Sequence, residues 1–250
     1  MKNKNVLITG GSKGLGKEMA IRFARNGANV VINYYHDDAV ARETVEIVSK
    51  FGTKVELLKA DVGVHEEMVH LCRESIRKMG NIDVFIHNAV NGIGSDLLSI
   101  SPELWKQSFQ TNLDPLLIGA QELVPLMKQN KWGRIFAISS RGSQMAVPNY
   151  SPLGVPKAAM EALIRYMAVE FGPFGITANS ISAGTMDTEV LKKINKDAKR
   201  HVENSRNRVP AYRPMEIEDV ANVICNMCSN EMEMINGQVI RVDGGLIVKA

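Results

Sequence analysis

Seven short apolar runs, separated by longer stretches whose apolar residues recur at helical spacing, constrain this chain more than anything else in it. The runs occupy 5–9, 29–33, 54–58, 82–87, 134–139, 177–182 and 239–242. Strands buried on both faces read as continuous apolar runs, and parallel neighbours need a helical crossover between them. The alternation therefore predicts a doubly wound, Rossmann-type α/β fold with a seven-stranded parallel sheet. Gly27, Gly52 and Gly80 stand where the first three helical stretches should stop, since glycine accepts the left-handed conformation that ends helices. With no repeat, low-complexity tract or linker, residues 1–250 are expected to form one domain.

Composition excludes several classes. A formal charge of +3 is too small a basic excess for a typical nucleic-acid binder. No apolar run approaches the ~18 residues of a membrane-spanning helix. The opening Met1-Lys-Asn-Lys-Asn5 leads only into Val6–Ile8, too short for a secretory signal, so the expected compartment is the cytoplasm. Cys225 and Cys228 have a redox-like spacing, but no second pair accompanies them. They fall on one apolar helical pattern, which predicts core packing and no metal.

The segment Thr9-Gly-Gly-Ser-Lys-Gly-Leu-Gly16 follows the first apolar run and opens the first helical stretch. Gly10, Gly14 and Gly16 allow a sharp turn and a close approach of a pyrophosphate, which the free N–H groups and positive end of the following helix attract. Ser12, Lys13 and Leu15 complete this turn. An NAD site normally carries an acid at the end of the second strand. Here the sequence is Asn33-Tyr34-Tyr35-His36, and Asp37 and Asp38 come later. Lys13 and His36 are then available to a ribose phosphate, which predicts NADPH.

Tyr150 and Lys157 flank six residues, Ser-Pro-Leu-Gly-Val-Pro, at the start of another helical pattern. A phenol is a weak acid with a pKa near ~10, and a neighbouring ammonium makes its anion easier to form. Seven positions on one helix rise about 10.5 Å, too far for direct contact, so Tyr150 is expected on a loop before the helix. Pro156 is expected in the first helical turn, with the helix starting near Leu153, because proline deeper inside removes a donor and clashes backward. Residues 185–214 carry Lys192, Lys193, Lys196, Lys199, Arg200, Arg206, Arg208 and Arg213 against four acids. This segment is either a solvated helical face or a flap over substrate that attracts an acidic partner.

Taken together, Thr9–Gly16, Asp61-Val62, His87-Asn88-Ala89-Val90, Asn112, Ser140, Tyr150, Lys157, 179–184 and Val242-Asp-Gly-Gly245 resemble the short-chain dehydrogenases/reductases over the whole length. The six-residue spacer resembles their enoyl-acyl-carrier-protein reductase branch, where most members have three. The resemblance implies that Asp61 and Val62 hold adenine, that Asn88 and Ala89 line the path to the nicotinamide, and that Gly184 and Thr188 flank it. It implies a catalytic set of Tyr150, Lys157, Ser140 and Asn112, the last anchoring a water. It also implies a homotetramer, with the helices around Leu116–Ala120 and 157–171 as interfaces. The substrate it implies is an enoyl thioester, possibly on an acidic acyl carrier protein. In that reaction negative charge develops on the thioester oxygen and Tyr150 supplies the donor. Ser140 stands where several enoyl reductases have a second tyrosine, and where a ketone reductase wants its serine. A 3-oxoacyl or other carbonyl reductase is thus the rival, and a non-catalytic dinucleotide binder a second one.

Overall fold

The computed structural model describes residues 1–186, 191–192, 197–211, 213 and 215–248. Strands β1 (Asn5–Ile8), β2 (Asn29–Tyr34), β3 (Val55–Lys59), β4 (Val84–His87), β5 (Gly133–Ser140), β6 (Ile176–Ala183) and β7 (Val239–Val242) form one sheet in the order β3-β2-β1-β4-β5-β6-β7. Every pairing is parallel. This is the seven-stranded doubly wound sheet that the apolar runs predict. The last run is matched at both ends, and the others shift by one or two residues.

Helices α1 (Gly14–Arg25), α2 (Asp38–Ser49) and α8 (Ile217–Met227) cover one face, whose core includes Met19, Phe23, Val48, Val220 and Ile224. Helices α3 (His65–Met79), α5 (Asp114–Gln129) and α6 (Ser151–Phe171) cover the other, around Met68, Phe85, Leu123, Met160 and Ile164. Helix α4 (Pro102–Asn112) packs beside α5 and α6, and α7 (Ala198–Arg208) lies within the 185–214 segment. Gly27, Gly52 and Gly80 all have φ between 75° and 86°, so the predicted stops use the conformation only glycine adopts freely. Cys225 and Cys228 are buried on α8, and burial pushes both thiols up.

One expectation needs correction. Helix α6 begins at Ser151, with Tyr150 as its N-cap residue and Pro156 inside the helix rather than in its first turn. The helix survives because Pro156 deletes only the bond that would run back to the Pro152 carbonyl, while Gly154 N–H already bonds the Tyr150 carbonyl at 2.8 Å. The Leu116–Ala120 stretch lies on α5. Leu116, Ile118 and Ala120 are buried within this chain, and only Leu117 among those apolar side chains is exposed.

The order of the strands reverses between β1 and β4, which both emerge at the same edge of the sheet. A crevice must open there, because the crossovers from these two strands leave in opposite directions. The glycine turn follows β1, and Asn88-Ala89 follows β4.

Candidate active site

At the reversal point the glycine turn is held by polar groups from three strands. The Asn33 side chain, buried at the end of β2, accepts the Gly10 N–H at 3.1 Å and donates to the Ala60 carbonyl at 3.1 Å. Asn88 Nδ2 donates to the carbonyls of Thr9 and Gly10, both at 3.0 Å. Thr9 Oγ1 accepts the backbone N–H groups of Asn88 (2.9 Å) and Ala89 (3.0 Å). With both lone pairs engaged, the Thr9 hydroxyl proton must point to His87 Nδ1, 3.3 Å away. His87 Nε2 then carries the ring proton and donates it to the Asn112 carbonyl at 3.2 Å. Burial, then the Lys157 charge, pushes His87 down to about 3, so the ring is neutral.

The turn has the shape an anion requires. A Cβ on Gly16 would sit 2.1 Å from the Gly10 carbonyl oxygen, and one on Gly10 would lie 3.1 Å from Ala89 Cα. Gly10 and Gly14 have φ of 60° and 53°. The N-cap residue of α1, Lys13, makes no side-chain cap, and the first turn holds no acid. The positive end of α1 and its free N–H groups are therefore not satisfied by the protein's own carboxylates, and a pyrophosphate fits there. Lys13 and His36 are exposed, whereas Ser12 and Leu15 are buried beneath the turn. Asp61 Oδ1 accepts the Gly63 N–H at 2.9 Å just past β3, with Val62 buried next to it. Gly184 N–H bonds the Val242 carbonyl at 2.9 Å past β6. Thr188 lies outside the described residues, as do Lys193 and Lys196 of the basic segment.

Strand β5 runs three residues beyond the end of its pairing with β4, to Ser140. That overhang carries the second half of the site. Tyr150 Oη donates to Ser140 Oγ at 3.1 Å, and Lys157 Nζ donates to the Ile138 carbonyl at 2.5 Å. Two residues of strand separate those anchors by about 7 Å, against the 10.5 Å of helix rise. The spacing problem is thus met by two side chains that reach different points of one strand, not by a loop that brings Tyr150 back. Burial pushes the Tyr150 phenol up, opposed by the Ser140 hydrogen bond and the Arg141 charge. Lys157, 4% exposed, is pulled down to about 8 by burial, opposed by Glu161. Asn112 bonds within α4, its Nδ2 to the Ser108 carbonyl at 2.8 Å, and its Oδ1 accepts the Asn91 N–H at 3.2 Å.

Glycines 142 and 154 also shape this site, and of the two Gly142 carries no signal in the sequence. A Cβ on Gly142 would fall 2.5 Å from Cδ1 and Cε1 of Tyr150, and one on Gly154 would fall 2.6 Å from the Gly142 carbonyl oxygen. Asn33, His87 and Glu161 are further structural members to which the sequence assigns no site role.

A crevice for a dinucleotide beside a half-buried tyrosine and serine and a buried lysine defines a nicotinamide-dependent oxidoreductase of the Rossmann type. The chain belongs to the short-chain dehydrogenase/reductase family. A family model described as enoyl-(acyl carrier protein) reductase matches residues 10–247. The chain is 37% identical over 245 residues to the 1-cyclohexenylcarbonyl-CoA reductase of Streptomyces collinus, covering 98% of this chain and 87% of that one. It is 28% identical over 246 residues to the 3-oxoacyl-[acyl-carrier-protein] reductase FabG of Staphylococcus epidermidis, covering 98% and 99%. Among solved structures, a 7α-hydroxysteroid dehydrogenase complexed with NADH and 7-oxo glycochenodeoxycholic acid is similar at a TM-score of 0.91. It shares 27% identity, with 98% of this chain and 94% of that chain covered.

Gly142→Ala should displace the Tyr150 ring while leaving the α1 turn intact. The expected result is a turnover loss of roughly tenfold or more, about 1.4 kcal/mol of barrier, with dinucleotide affinity changed less than about twofold in a fluorescence titration.

Proposed function

We propose that the chain is an NADPH-dependent reductase that saturates the double bond of an enoyl thioester. The observation that carries this reading is the pairing of Tyr150, at the cap of α6, with Ser140, while Lys157 is buried seven positions further on. The six-residue spacer is the enoyl-branch pattern, and the named substrate of the Streptomyces relative has a ring double bond conjugated with a thioester. The dinucleotide supplies the hydride when bound. Gly10, Gly14, Gly16 and the start of α1 would hold its pyrophosphate, and Lys157 its nicotinamide ribose.

As the β-carbon is reduced, negative charge gathers on the thioester oxygen. The Tyr150 hydroxyl, raised by burial, remains protonated at neutral pH and can donate to that oxygen. Ser140 takes up the slack, either accepting from Tyr150 or donating alongside it. Lys157, pulled down to about 8, exchanges protons readily near neutral pH.

Phosphate-bearing cofactor fits the end of β2. Asp37 Oδ1 caps α2 by accepting the Val40 N–H at 3.2 Å, and Asp38 is 2.9 Å from Lys59 Nζ. Both nearby acids are engaged, and exposed Lys13 and His36 face no acid from Asn33–Tyr35. A thioester on an acidic carrier would be attracted by exposed Lys192, Arg200 and Arg208, although Arg213 is held by Asp219 at 2.5 and 2.7 Å. Exposed Tyr166 and Val169 on α6 suit association of copies, in keeping with a tetramer.

One second reading has its own support. A serine directly bonded to the tyrosine also suits polarising a ketone, and the Staphylococcus relative is a 3-oxoacyl reductase. Specificity constants for a short enoyl thioester and its matched 3-oxoacyl thioester, with excess NADPH, separate the two. The enoyl substrate should win by roughly tenfold or more; equal rates or a preference for the ketone would assign the chain to the rival. For the cofactor, Lys13→Ala should raise the KM for NADPH about tenfold and that for NADH less than about twofold. Wild-type protein that uses NADH as well as NADPH contradicts the cofactor reading.

A further inference from the structure

We infer that Glu161 is a positioning residue for the acid site: its buried carboxylate clamps the turn that carries Ser140 and stands as the counter-charge to Lys157 on the same face of α6. Glu161 is 5% exposed, and carboxylates are rarely that buried unless hydrogen-bonded. Its Oε1 accepts the Ser139 hydroxyl at 2.5 Å and lies 2.6 Å from Ser143 Oγ. Ser143 Oγ is also 2.8 Å from the Ser140 carbonyl, and its single proton goes to the stronger, charged acceptor. One oxygen therefore ties together the residue before Ser140 and the 3-10 turn after it, Arg141–Ser143. Ser140 itself is left free to meet Tyr150.

Glu161 also stands four residues after Lys157 on α6, so the two side chains rise from the same face of the helix. The titratable and charged groups around the pair are few. Glu161 acts on Lys157 from α6, and neutral His87 faces it from β4. Arg141 acts on Tyr150 at the cap, and Arg165 donates to the Glu161 backbone carbonyl at 3.1 Å. Glu161 is the one negative charge opposing the desolvation of Lys157 among the described residues. The inference rests on the reductase reading of Tyr150 and Lys157, and not on which acyl group is reduced.

Two variants separate the two duties. Glu161→Gln keeps an oxygen for the serine hydroxyls and removes the charge; Glu161→Ala removes both. The ionisation of Lys157 is read in cofactor-free protein carrying carbon-13 lysine, as the signal missing from Lys157→Met. In Glu161→Gln that signal should titrate at a pH lower by at least about half a unit, roughly threefold in proton affinity. The alkaline limb of the pH–kcat profile should move the same way. At pH 7 Glu161→Gln should lose less than about threefold in kcat, and Glu161→Ala about tenfold or more with KM little changed. If Glu161→Ala does not fold, Ser143→Ala, which deletes one arm at a half-buried position, should lower kcat in the same direction. A lysine signal that titrates as in wild type overturns the charge role, and wild-type kcat in Glu161→Ala or Ser143→Ala overturns the clamp. Lys157→Met that turns over normally would instead overturn the reductase reading, leaving the lysine titration to judge Glu161 alone.

Discussion

The bond from the Lys157 ammonium to the Ile138 carbonyl fixes the rest of the active end of this protein. A buried ammonium without a partner would cost several kcal/mol, so the cation must meet an oxygen inside the fold. That oxygen is available because β5 outruns β4, and so the end of the sheet, rather than any loop, sets where Lys157 can sit. Helix α6 is thereby held along β5, and its cap residue Tyr150 lands opposite the last residue of the same strand, Ser140. The close seat of α6 on the Arg141–Ser143 turn requires glycine at 142 and 154. Strand length, a buried charge and two absent Cβ atoms together place a phenol at the mouth of the crevice.

The dinucleotide half is built on a different economy. The first turn of α1 holds no acid, and the glycine turn is pinned by Asn33 and Asn88 through neutral amides. Neutral clamps give the turn rigidity without occupying its positive potential, which stays available to phosphate. The chain Thr9–His87–Asn112 carries this half by hydrogen bonds across the point where the strand order reverses, to the end of α4. His87 remains uncharged because it is fully buried and Lys157 repels a second cation.

Much of this was legible from the sequence for definite reasons. Strands buried on both faces must be apolar throughout, so all seven could be located, and Gly27, Gly52 and Gly80 marked helix ends by the conformation they alone adopt easily. Gly10, Gly14 and Gly16 announced the turn through their spacing after β1. Other features left no local signal. The start of α6 was misplaced because a proline rule drawn from isolated helices ignores that Pro156 removes only one bond from a helix already held by β5. Asn33, Glu161 and Gly142 look like ordinary polar or small residues until the chain folds, since each acts on residues eight or more positions away. The common anchorage of Tyr150 and Lys157 on β5 was not legible from spacing, because side-chain reach, not helix rise, decides where the two heads lie.

The central claim is that the Tyr150 hydroxyl acts on charge that develops during reduction while the dinucleotide is held elsewhere. Tyr150→Phe removes that oxygen and keeps the ring against Gly142. Measuring dinucleotide affinity by fluorescence alongside single-turnover reduction of an enoyl thioester tests the claim most directly. The account predicts binding within about twofold of wild type and a rate lowered by roughly a hundredfold or more, the usual scale for losing a positioned proton donor. Reduction at the wild-type rate, or loss of dinucleotide binding in step with rate, would contradict it.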